Sequence, residues 1–265
     1  MRRVLTVMLA TLAVAGPAHG AQLKCAADAV KAGNACVDKY EASVWSIDPI
    51  AKKSLAKKVV SGKATLDDLT KGGATQLSWN ACAPAYPMNF PANGNWTPVA
   101  GSSPPSPGVY AVSIPGVRPS TCVTWFQAEQ ACAASGKRLA TNQEWQRAAA
   151  GTPDGAPCVV SAMASANTGA NAGCLSLWGA FDMVGNVWEW VGGIGDKANG
   201  CASWPAAFGS DVSCVGGPGS AFSNLPGALI RGGSWGDGTT AGVFAVIGLH
   251  QPSDTDLAIG FRCAR

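Results

Sequence analysis

Apolar and polar positions alternate from Val37 to Val44, the period of a half-buried strand. From Trp125 the period changes: Trp125, Ala128, Ala131 and Cys132 fall on one helical face. Thr124 and Gln127 flank that start as a capping box, where a hydroxyl and an amide side chain each meet an unpaired N–H of the first turn. Gly136 is placed to stop the helix. Thr141 and Glu144 repeat the device before Trp145 and Ala148, and Gly151 ends the second helix. Glu144 therefore caps rather than catalyses. Near the C-terminus, residues 241–247 form an apolar run of strand length between two polar segments, 236–240 and 250–256, built from turn residues. Trp235, Val243, Phe244 and Phe261 are expected inside. The polar residues between them (Asp237, Thr239, Thr240, His250, Gln251, Ser253, Asp254 and Asp256) would then project as a ligand-binding face. An ordinary pair of solvated loops has the same composition.

The remaining stretches read as irregular. Residues 46–73 are polar and carry Lys52, Lys53, Lys57, Lys58, Lys63 and Lys71, the pattern of a surface insertion with a solvated face. Residues 84–107 repeat Pro, Asn, Gly and Ser, as a long loop does. Residues 158–174 and 192–227 are small-residue loops, each holding a pair of cysteines.

The first twenty residues change the picture of where the protein works. Arg2 and Arg3 precede an apolar run, 4–15, and Ala18-His-Gly20 offers a signal-peptidase site before Ala21. That run is too short to span a bilayer, and no later one reaches about 18 apolar residues, so no membrane span is expected. A secreted or periplasmic protein suits the ten cysteines, an even number that reads as a disulfide set, with buried free thiols as the alternative. Proximity pairs Cys25 with Cys36, Cys158 with Cys174 and Cys201 with Cys214. No CxxC spacing marks a zinc or redox site. Without Arg2 and Arg3 the chain has 17 basic residues against 16 acidic, which argues against nucleic acid as a partner. Charged residues are only 13%, while there are 33 Gly, 17 Pro and 10 Trp, the composition of a loop-rich fold with an aromatic core.

Six strings then occur in order: VDKYEAS, VTWFQAEQAC, GKRLATNQEW, DMVGNVWEW, RGGSW and GFRC. From about Val37 to Arg265 the chain resembles the formylglycine-generating enzyme (sulfatase-modifying factor) family. Ala140 and Asn142 replace the proline and glutamate of the family's GKRLPTEAEWE. The resemblance implies an α+β variant of the C-type lectin fold over residues 21–265, with little regular secondary structure, stapled by disulfides. It implies a Cys132–Cys263 disulfide, which leaves Cys82 for Cys122. A second family disulfide would need cysteines at Ala149 and Ile247, where an apolar contact is expected instead. It also implies a structural calcium at Asp182, Gly185, Val187 and Glu189, two carboxylates and two backbone carbonyls being hard oxygen donors. A metal-free turn is the alternative. A further family calcium site would use Asn167 and Thr168, whose remaining ligands have no match here.

The same resemblance locates departures from an enzyme. Formylglycine-generating oxidases bind copper through cysteines two and seven residues after the aromatic of GGS(Y/W), and those positions hold Asp237 and Gly242. Copper(I) prefers thiolates, so copper is not expected. Relatives in ergothioneine synthesis hold iron with three histidines, and this chain has two, of which His19 leaves with the signal. The reading is an exported binding protein with an unknown protein or glycan ligand. A formylglycine-generating oxidase, or another oxidoreductase of the family with a different site, is the alternative. The C-terminal string also resembles, more loosely, variable regions diversified by retroelements.

Overall fold

The computed structural model describes residues 23–77, 82, 98–196, 198, 200–203, 210–215 and 226–265. The N-terminal segment 1–20 and residues 84–97 of the proline-rich stretch lie outside the described residues. No described helix is long and apolar enough to cross a membrane.

Thirteen strands and four helices are described. β1 (Ala29–Ala32) and β2 (Ala35–Asp38) form a hairpin, and β13 (Cys263–Ala264) lies between β2 and β6 (Arg138–Leu139). A second sheet has the order β12-β7-β10-β11-β9-β8, from β7 (Trp188–Asp196), β8 (Ala202–Ser203), β9 (Val212–Cys214), β10 (Pro226–Gly232), β11 (Gly242–His250) and β12 (Ile259–Phe261). A third pairs β3 (Ala42–Ser46) with β4 (Thr75–Leu77) and β5 (Val109–Ser113).

The two expected helices are present. α3 (Trp125–Ala134) and α4 (Asn142–Ala148) both begin with the complete capping box. They end before Gly136 and Gly151, whose φ of +66° and +78° only glycine adopts freely. Trp145, Trp190 and Phe261 are fully buried in the two central clusters, with Cys132 and Cys263 between helix and strand.

The lysine-rich stretch is more than a polar insertion. It folds as α1 (Lys53–Val60) and α2 (Leu66–Lys71), which bury Leu55, Val59 and Leu69 against Trp45 and Tyr110 in a third cluster. The interior face was hidden because lysines fill the other side of α1. Residues 192–227 also hold strand: β7 continues to Asp196, and β8 and β9 extend the second sheet.

Five disulfides staple this α+β framework: Cys25–Cys36, Cys82–Cys122, Cys132–Cys263, Cys158–Cys174 and Cys201–Cys214. All five match the expected pairing. The apolar contact expected between Ala149 and Ile247 does not form, because Ala149 packs in one cluster and Ile247 against another.

Candidate functional site

The polar residues of the recurring strings bind the strings to one another. Lys137, of the GKRL string, lies fully buried between Asp28 and Asp38, 2.6 Å from each. Burial pushes the Asp38 carboxyl up to about 6, against the pull of Lys137. Glu41, of VDKYEAS, accepts from Asn186 Nδ2 at 2.5 Å and from Val187 N at 3.1 Å. Burial first, then Asp182 and Glu189, hold Glu41 well above the ordinary carboxylate range. Arg262, of GFRC, donates Nε and Nη2 to the two oxygens of Glu189, and Trp145 Nε1 donates to Glu189 Oε2 at 2.8 Å.

This arrangement bears on the fit of the residues expected to hold calcium. Both Glu189 oxygens face a guanidinium, so a cation ligated there would meet a fixed positive charge at hydrogen-bond distance. Asp182 sits at φ +57° and accepts from Gly169 N at 2.7 Å. Burial pushes its carboxyl up to about 6. Among the described residues no group of three or more His, Cys, Asp or Glu is placed to hold a metal ion. As they stand, Asp182, Gly185, Val187 and Glu189 do not fit a calcium ion. At the other family position, the Thr168 hydroxyl donates to Ile114 O at 2.7 Å.

The C-terminal face is built outward from β10 and β11. Trp235 N donates to Asn186 O at 2.9 Å, which anchors the loop after β10 on the DMVGNVWEW turn. Asp237 accepts from Ser234 N and Ser234 Oγ, both at 2.6 Å, and so closes a tight loop before a 3₁₀ turn at Gly238–Thr240. After β11 the chain returns past α3: Trp125 N donates to Pro252 O and Cys122 N to Asp256 O, both at 3.0 Å. Between these two loops lies an open cavity of about 590 Å³, lined by Ser234, Trp235, Asp237, Thr255, Asp256 and Leu257 among others.

The expected ligand residues divide among three places. Asp237 and Asp256 share that cavity. Thr239 lines a second one, about 470 Å³, with Asp154, Ser161 and Ser210. Thr240 is exposed, and its hydroxyl donates to Asp237 O. His250 and Asp254 pair at 3.8 Å, with the His250 ring edge-on to Trp190, and Gln251 N donates to Asp254. Ser253 is exposed. Sequence reasoning missed Thr255, although it lies inside the same polar run. It also placed Trp235, Val243 and Phe244 inside, and all three are half-buried; only Phe261 is fully interior.

Beneath this face, Gly242 packs on Asp211. A Cβ at Gly242 would overlap the Asp211 carboxylate. Asp211 Oδ2 accepts from Phe244 N at 2.7 Å, while Oδ1 is buried without a partner. Burial pushes this carboxyl up. Arg231 stacks on Trp145 at 4.6 Å and donates to Val243 O, and burial draws its guanidinium down to about 10.

Comparison with known proteins fits the six strings. Hercynine oxygenases of Mycolicibacterium thermoresistibile and Mycolicibacterium smegmatis are each 36% identical over 95 residues, 29% of this chain. The match spans only about a fifth of the length of these relatives (21% and 22%). Among solved structures, a major tropism determinant variant (P3c) aligns at 26% identity and a TM-score of 0.41, over 54% of this chain and 37% of its own. CarF aligns at 15% identity and 0.41, over 89% and 92%. The model of the sulfatase-modifying factor enzyme 1-like domain matches residues 49–175 and 163–265. With that match reaching from α1 to the last strand, the chain belongs to the sulfatase-modifying factor enzyme 1-like domain family.

Proposed function

We propose that the chain is an exported, non-catalytic binding protein whose ligand sits in the cavity between the loop after β10 and the loop after β11. That cavity carries the reading: about 590 Å³, with a half-buried indole at Trp235 and carboxylates at Asp237 and Asp256. Its volume is in the range of ligand sites. An indole offers stacking area, and two carboxylates accept hydrogen bonds from hydroxyl-rich or cationic groups. A sugar, or a basic side chain on a protein partner, suits this lining, whereas nucleic-acid phosphate would be repelled. Five disulfides support export, since such bonds persist in oxidising compartments. The non-catalytic part rests on the two positions where formylglycine-generating oxidases carry copper thiolates. Asp237 is held by Ser234, and Gly242 leaves only room for Asp211. Glycan and peptide arrays with the exported protein test this. A retained ligand should be lost on Trp235→Ala; silence on both arrays, or binding indifferent to Trp235, would sink the reading.

The second reading is an oxidoreductase, a formylglycine-generating oxidase or a relative acting at another site. The observation favouring it is the 36% identity to hercynine oxygenases over 95 residues. Stoichiometric copper or iron together with oxygen consumption would put it first.

A further inference from the structure

The insertion that distinguishes residues 46–73 builds a further cavity, remote in sequence from the C-terminal face. Lys53, Ala56, Lys57 and Val60 recur at the spacing that puts side chains on one side of a helix. Together they form one wall of a groove of about 510 Å³. Pro104 and Pro105 form the facing wall, and Ala133 and Ala134 at the end of α3 contribute a third side. Tyr110 lies at the base, and its hydroxyl accepts from Ser106 Oγ at 2.9 Å, so its polar group is satisfied within the protein. The groove is thus mainly apolar, and among the described residues no acidic one lines it. Val60 stays 42% exposed beside it, apolar surface that an occupant would cover.

The charges are arranged unevenly around this insertion. Lys58 pairs with Asp68 at 2.5 Å, Lys71 pairs with Asp67 at 2.9 Å, and Lys52 donates to Gly73 O. Lys53 and Lys57, the two lysines on the groove, make no ion pair among the described residues. Asp48 is the nearest acid along the chain, and its carboxylate is spent on Ile50 N and Ala51 N at the entry to α1. An apolar cavity of ligand size with uncompensated ammonium groups on one rim complements a molecule with the opposite layout. We infer that the groove between α1 and the end of α3 binds a small amphiphilic carboxylate, its apolar body against Pro104, Pro105 and Ala133 and its head group at Lys53 and Lys57. This site is independent of the cavity at Trp235.

Calorimetric titration of the full chain with octanoate, octan-1-ol and acetate tests the inference. Octanoate should bind one to one, octan-1-ol about tenfold more weakly because it lacks the charge, and acetate not measurably. Lys53→Gln with Lys57→Gln should bring octanoate down to the level of octan-1-ol and leave octan-1-ol unchanged. Ala133→Trp, at an exposed position, should fill the groove and abolish both without shifting the melting temperature. Octanoate binding no better than octan-1-ol, octanoate affinity undiminished by the lysine double variant, or binding of either molecule that survives Ala133→Trp in a folded protein, would overturn the assignment. So would an acidic peptide binding at these lysines while octanoate does not.

Discussion

Arg262 grips Glu189 through Nε and Nη2, at 2.7 and 2.6 Å, in a place where neither side chain meets solvent. A guanidinium thereby already neutralises the carboxylate that the family resemblance assigned to calcium. The charge is carried by the residue that joins β12 to β13, so it needs no loading. We expect the melting temperature to be the same in calcium and in chelator. Arg262→Met should cost about 3–5 kcal/mol, because it strands a buried carboxylate. A calcium-dependent melting curve would mean that Glu189 exchanges Arg262 for the ion.

Asp211 occupies the space that a side chain at position 242 would need. Gly242→Ala should therefore destabilise by about 1–3 kcal/mol, as overpacking does. The double variant with Asp211→Gly should recover part of that loss, and a double-mutant cycle on denaturation midpoints reads the coupling. Additive effects would show that the two groups do not collide. The same reasoning predicts that Gly242→Cys disturbs the fold before it creates any copper ligand.

Glu144 shows a charge whose value depends on pH. Hydrogen bonds from Arg138 first, and then from Thr141 at the head of α4, hold its carboxyl down at about 2 against an ordinary 4.5. A depressed folded value contributes stability that is complete above about pH 4.5 and is lost as pH falls toward 2. Glu144→Gln should be less stable than the parent by about 1 kcal/mol at pH 6, the scale of a lost cap. The gap should close in denaturation curves at pH 2.5. A gap constant across that window would assign the effect to shape rather than charge.

Much of the fold was legible because it is specified locally. The capping boxes at Thr124 and Thr141 and the stops at Gly136 and Gly151 are statements about a single helical turn, and α3 and α4 form where they predict. The same signal was present at Thr65 and Asp68, which cap α2. It was overlooked because lysines dominate that stretch. The binding face was less legible. Thr240 precedes β11 and His250 ends it, a nine-residue strand that spans on the order of 30 Å. Residues close in the polar pattern therefore lie at opposite ends of it. Asp237 and Asp256 line one cavity only because the chain returns past the start of α3, a tertiary event that periodicity does not encode.

The Cys132–Cys263 bridge ties α3 to β13 across 131 residues. Replacing both cysteines with alanine should lower stability by about 4–5 kcal/mol on the loop-entropy model. Mapping of unreduced peptides should recover the pair. Its loss should not release Arg262, which Glu189 and the carbonyls of Asp38 and Phe181 also hold.

The division of the C-terminal face allows the site to be located by exchange of carboxylates. Asp237 and Asp256 line the cavity beside Trp235, whereas His250 and Asp254 pair with each other near Trp190. Asp237→Asn keeps one acceptor for Ser234 and removes a charge, and Asp256→Asn does the same for Ala258 N. Combined, they should weaken a hydroxyl-rich or cationic ligand at least about tenfold, since each charged hydrogen bond is worth about 1.5–3 kcal/mol. The melting temperature should move by no more than a few degrees. His250→Ala with Asp254→Ala should leave affinity unchanged, because that pair does not line the cavity. Measured by titration with whichever glycan or peptide the arrays return, the opposite ranking of the two double variants would move the ligand to the His250 end of β11.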